Sequence, residues 1–87
     1  MKIDLNFALK DLNGVDLKEA NAGKLVAQSL AASSKGDALK FWDWALKLNK
    51  GDKIDLDPSD SKTFREFVEH NEGFTTLAKA QILLALK

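Results

Sequence analysis

The sequence predicts an α+β fold, an N-terminal β-hairpin packed against a cluster of four helices. Three observations carry this. Ile3, Leu5, Phe7 and Leu9 alternate with more polar neighbours, the period of two expected of a strand with one buried face. From Asn21 onward the apolar spacing changes to three and four, the helical period, in four successive stretches. Between those stretches stand turn and cap residues: Ser33-Ser34-Lys35-Gly36, Gly51, Asp57-Pro58 and Asn71-Glu72-Gly73. At 87 residues the chain is long enough for one domain and too short for two, so residues 1–87 read as a single domain.

Taken in order, residues 2–10 form the first strand. Asn13-Gly14 supplies two residues that tolerate positive φ, as a type I′ turn requires, and Val15-Asp16-Leu17 returns antiparallel. A two-residue turn pairs Leu12 with Val15 on the face opposite Leu9, so either a bulge near Lys10 or a longer loop must restore the parity. Asn21 then caps a first helix over about 22–33, whose Ala27, Ala31 and Ala32 let a neighbouring helix approach closely. Ser34 or Asp37 caps the central helix, and Gly51 ends it in the left-handed conformation.

In that central stretch, Asp37 to Leu48, the residues Ala38, Leu39, Phe41, Trp42, Ala45, Leu46 and Leu48 share one broad arc at about 100° per residue. Trp42 falls at its middle and Trp44 at its margin, which predicts that Trp42 is the more buried. Asp43 and Lys47 pair across one turn on the solvent side. Residues 53–57 alternate briefly through Ile54 and Leu56, either as a short third strand or as an extended connector. Asp57 caps a third helix over 58–70 with Pro58 at its first position, and Thr75 caps a fourth over 76–86.

Composition narrows the function classes. Apolar residues make up 45% and charged residues 30%, as in folded soluble chains rather than disordered ones. Thirteen cations balance thirteen anions, so net charge provides no long-range attraction to nucleic acid or an acidic membrane. Only Arg65 among the cations has the planar fork suited to phosphate or guanine. The chain has no Cys, hence no disulfide, thiolate nucleophile or cysteine zinc site. Neither an apolar leader nor a membrane-spanning run is visible, and the expected location is the cytoplasm.

Candidate chemical sites reduce to structural roles. Asp55, Asp57, Ser59 and Glu66 match positions of a calcium-loop template, but Asp60 and Lys62 stand where that loop needs Gly and an apolar residue. His70 is the only histidine, and near a helix C-terminus it favours the dipole rather than a metal or a general-base role. Ser29, Ser33, Ser34, Thr75 and Thr76 read as caps or helix surface. Helices three and four imitate a helix-turn-helix, yet the last offers only Lys79, Gln81 and Lys87 amid Leu, Ile and Ala, poor equipment for a recognition helix. Trp42 and Trp44 could stack on bases, but in an apolar arc they read as core. No enzyme activity and no cofactor is expected.

Lys35-Gly36-Asp37, Trp44-Ala45-Leu46-Lys47-Leu48, Gly51, Phe67-Val68-Glu69 and Lys79-Ala80-Gln81, in this order and spacing, resemble small uncharacterised proteins encoded by bacteriophages and prophages. The resemblance covers most of the chain after the hairpin. It implies a phage-derived origin and a bacterial cytoplasm, and carries no catalytic or binding residue with it.

The nearest approach to a functional site is the last helix, apolar nearly all round. Leu77, Ala78, Gln81, Leu84 and Ala85 form a face suited to the central helix, which leaves Ile82, Leu83 and Leu86 as a candidate partner surface for a homo-oligomer or another protein. Alternatively Ile3, Leu5 and Phe7 cover Ile82 and Leu86, and the helix is a middle layer. The expected function is a small non-enzymatic protein-protein interaction or assembly domain. The alternative is a small regulatory nucleic-acid-binding protein.

Overall fold

A computed structural model describes residues 1–86; Lys87, the last cation of the helix-turn-helix comparison, lies outside them. The order is β1 (Lys2–Ile3), β2 (Ala8–Lys10), β3 (Asp16–Asn21), α1 (Ala22–Ala32), α2 (Ala38–Asn49), β4 (Ile54–Asp55), α3 (Pro58–Glu69) and α4 (Thr76–Ala85). The α+β class holds, with four helices and two small antiparallel sheets, β1 with β4 and β2 with β3.

The predicted strand over 2–10 is interrupted, and the cause is local. Asp4 Oδ1 accepts the Asn6 N–H at 2.9 Å, and the Phe7 N–H turns back to the Leu5 carbonyl at 2.8 Å. This side-chain turn sends β1 one way, to pair Ile3 with Ile54, and β2 the other. The short segment at 53–57 is therefore a strand, but it belongs to β1 and not to the hairpin. Leu56 N–H donates to the Met1 carbonyl at 2.8 Å and extends that small sheet.

The hairpin turn differs from the type I′ expectation, since Gly14 has φ +81° but Asn13 is not left-handed. Asp11 N–H donates to Val15 C=O at 2.9 Å around a three-residue loop, and the Asp11 carboxylate accepts the N–H groups of Asn13 and Val15. Such a loop needs one left-handed residue, and it restores the parity that a two-residue turn would break. Farther along, Ala8 pairs with Asn21 and Lys10 with Asp16, so residues 17–20 of β3 face Leu9 alone. This large bulge bends the sheet edge away from regular pairing.

All four helix starts are capped by a side-chain oxygen, from Asn21, Asp37, Asp57 and Thr75, bonded to the backbone N–H three residues on. At the far end of α2, Gly51 has φ +84°; its N–H reaches Leu48 C=O at 3.1 Å and Asp52 N–H reaches Lys47 C=O at 3.0 Å. These two bonds satisfy carbonyls that a helix end leaves free.

One core runs through the fold, built from Leu5, Leu30, Leu48, Ile54, Leu56, Phe64 and Ile82 among others. Gly23 lets α1 approach this centre, because a Cβ there would lie 3.2 Å from both the Leu5 and Leu48 carbonyl oxygens. Against α3, Trp44 stacks on Phe41 at 5.6 Å and meets Phe64 edge-on at 5.5 Å, while Phe41 meets Phe67 edge-on at 5.4 Å.

Two orientations differ from the sequence reading. Trp44 is 5% exposed and Trp42 56%, so α2 is rotated from the expected setting. Its buried residues are Phe41, Trp44, Ala45 and Leu48, spaced three and four apart. The apolar arc was wider than its neighbours could cover, and the aromatic contacts with α3 drew Trp44 inward.

The second correction concerns the candidate partner surface. Ile82 is 0% and Leu86 3% exposed, while Leu83 is half-buried against the same core. Leu84, assigned to the inward face, is instead 62% exposed. Helix α4 packs on α3 and β2, and Gln81 fixes its rotation: Lys10 N–H donates to Gln81 Oε1 at 2.8 Å, and Gln81 Nε2 donates to Lys10 C=O at 2.7 Å. A single carboxamide thus completes the outer edge of β2 and turns Ile82 and Leu86 into the core.

Candidate interaction surface

With α2 rotated, Leu39, Trp42 and Leu46 form its outward stripe, spaced three and four residues apart, with exposures of 84%, 56% and 43%. These three side chains lie on one side of a rigid helix. Helix α1 bounds the stripe on one side, where Ala27 and Ala45 are both buried and permit close packing of the two helices. Trp42 consequently stands between two grooves. One, of about 190 Å³, is lined by the buried Ala27 and Ala45 together with Gln28, Ala31, Leu46 and Asn49. The other, of about 440 Å³, runs under the connecting loop past Leu30, Ser34, Lys35 and Leu39.

The α1–α2 connection that walls this second groove is held internally. Ser33 Oγ donates to Lys35 C=O at 3.0 Å. Gly36 has φ +90°, and a Cβ there would come within 2.7 Å of the Phe41 ring. Only glycine meets both demands, so the loop stays pressed against Phe41 at the start of α2.

Charges frame the stripe on its other side. Asp43 and Lys47 pair at 3.0 Å across one helical turn, both largely solvated. Lys40 Nζ contacts Asp60 Oδ1 at 2.6 Å and ties α2 to α3. The hydrogen bond to Asp60 raises the Lys40 pKa above its ordinary value, with the nearby Asp37 and Asp57 carboxylates acting in the same direction. Lys40 therefore stays an ammonium at neutral pH.

Of the residues that the sequence offered for chemistry, Trp42 stands on this face and Ser33 and Ser34 line its second groove, while Asp57, His70 and Thr75 serve at the ends of α3 and α4. Asp57 of the calcium template accepts the Asp60 N–H at 2.7 Å as a helix cap. His70 ends α3 with its side chain exposed. Thr63 Oγ1 donates to Ser59 C=O, and Thr75 Oγ1 caps α4. The side chains offered as a partner surface, Ile82, Leu83 and Leu86, pack in or against the core, and the exposed apolar side chains of α2 are Leu39, Trp42 and Leu46. Sequence periodicity showed that this stripe was apolar but not that it faced solvent.

Other exposed apolar side chains are Met1 beside β1, Leu12, Val15 and Leu17 on the hairpin, and Leu84 on α4. The hairpin group sits at a loop and a bulged strand, where Leu17 borders an open hollow of about 450 Å³ with Lys18, Glu19 and Ala20; its exposed side chains are aliphatic, whereas Trp42 is aromatic. Among the described residues, no helix is long and apolar enough to cross a membrane. No known protein family, curated protein or solved structure matches this chain.

Proposed function

We propose that this protein is a small non-enzymatic interaction or assembly module that recognises a protein partner through α2. The observation that supports this reading is the 56% exposure of Trp42 between two apolar neighbours and two grooves. A large aromatic on a rigid helix has little conformational entropy to lose on docking, and tryptophan is among the side chains that dominate binding energy at interfaces. An apolar stripe rimmed by charges is also the usual form of a partner site on a soluble chain. The proposed setting is the cytoplasm of a bacterial cell and the origin a phage or prophage, supported by the segment resemblance described above and the absence of Cys.

One observation favours a second reading, that of a small regulatory nucleic-acid-binding protein. Lys35 lines the same groove as the exposed Trp42, which sets a cation beside a stacking surface. Asp43 next to the stripe and the balanced net charge weigh against it.

The test places a photo-crosslinking residue at position 42 in one protein and at position 62, on α3, in another. Irradiation in the native host should give discrete protein adducts from position 42 and few from position 62. Equal labelling from both positions, or none from position 42, removes the reading. Nucleic-acid adducts whose yield falls steeply with salt would transfer the face to the second reading.

A further inference from the structure

We infer that the occupant of the α2 face is a second copy of this chain, docked about a two-fold axis with the two α2 helices antiparallel. This rests on the interaction reading and adds the identity of the partner. A two-fold interface uses the same patch on both copies, so that patch must carry both halves of its own complement. The α2 face does so in shape. It presents a knob, Trp42, beside a hollow of about 190 Å³ lined by Ala27, Ala31 and Ala45. Antiparallel docking lays each Trp42 over the other copy's stretch between Leu46 and Asn49, residues that line that hollow.

The charges agree with the same arrangement. Residues on one flank of an antiparallel two-fold helix pair meet the same flank of the other helix, in reversed order. In the register that seats Trp42 near Leu46 and Asn49, Asp43 of each copy lies across from Lys47 of the other. Two carboxylates and two ammonium groups then form a closed neutral set. With thirteen cations and thirteen anions, copies of the chain also lack a net charge that would hold them apart.

The area available places the interface in the weak, transient class. Helix α2 has 12 residues, about 18 Å of length. With α1 packed beside it at about 8–10 Å, the face offers a few hundred Å² per copy, below the roughly 800 Å² per partner of a standard interface. The dimer should therefore be dynamic, with a dissociation constant on the order of 10–100 µM.

Sedimentation velocity across a concentration series reads this directly. The wild type should pass from monomer to dimer, and Trp42→Ala should weaken association at least tenfold while its circular dichroism at the temperature of the run remains that of the folded protein. The charge pair supplies an independent arm at exposed positions. Asp43→Lys and Lys47→Asp should each self-associate less than wild type, and an equimolar mixture should recover dimer, because the cross-pairs become opposite in sign. Three results would overturn the inference: a wild type monomeric to about 1 mM, far above the expected constant; a Trp42→Ala protein that dimerises normally; or a mixture no better than its components. A monomeric wild type whose position 42 crosslinks a different protein would end the self-docking inference and leave the interaction reading standing. Loss of both signals would end both.

Discussion

Trp42 and Trp44, two residues apart on α2, should respond unequally to truncation. A tryptophan presents up to about 250 Å², so Trp44, at 5% exposed, removes about 240 Å² from water. At about 25 cal/mol per Å² that is an upper bound near 6 kcal/mol, and Trp44→Ala should cost about 3–5 kcal/mol, the range for buried aromatics. Trp42 at 56% exposed buries about 110 Å². Its transfer value of about 3 kcal/mol falls to roughly 1–2 kcal/mol once burial in the denatured chain and in the remaining Ala is subtracted. In a chain of this length the difference amounts to roughly 10–20 °C in melting midpoint. Urea and thermal unfolding followed by circular dichroism, at a concentration where the protein is monomeric, measure both. Single-tryptophan proteins add a spectral check: Trp42→Phe should leave the blue-shifted emission of a buried indole, and Trp44→Phe that of a hydrated one. A Trp42→Ala protein as unstable as Trp44→Ala, or more so, would refute the assigned rotation of α2.

Three further outcomes bear on the fold. Ile82→Asp should unfold the protein, since a carboxylate would enter a fully buried position with no partner, whereas Leu84→Asp should change the midpoint by no more than a surface substitution does; equal effects would mean that α4 is wrongly rotated. Gln81→Leu should cost about 1–2 kcal/mol through its two lost bonds to Lys10, and amide exchange should quicken at Lys10 more than in the core of α2, an outcome that a uniform loss of protection would contradict. Gly14→Val should destabilise by about 1–2 kcal/mol because φ is +81° there with open space around it; Gly14→Asn should cost much less, and similar losses for both would show that backbone strain is not the cause.

What the sequence determined by itself was local. The helix starts at Asn21, Asp57 and Thr75 were readable because a cap closes over three residues, the start of α2 was narrowed to Ser34 or Asp37 and is Asp37, and Gly51 was readable because a left-handed helix end is a property of one residue. Periodicity likewise separated strand from helix and marked α2 and α4 as broadly apolar. The break at Asp4 to Asn6 left a weaker trace, a short Asp-x-Asn sequence inside an alternating run. Rotation of the helices was another matter. An arc of seven apolar positions on α2 states which side chains share a side, but which of them are covered depends on where α1 and α3 dock. That was decided by the aromatic contacts of Phe41 and Trp44 with α3 and by the alanine contact with α1. On α4 the deciding contact joins Gln81 to Lys10 across 71 positions of sequence, and β1 finds β4 across a similar gulf. Period and capping act over one turn of chain, whereas burial is settled by pairs of surfaces that meet only after the chain has folded back. The exposed stripe at Leu39, Trp42 and Leu46 is therefore a product of the tertiary structure, although every residue in it was in plain view.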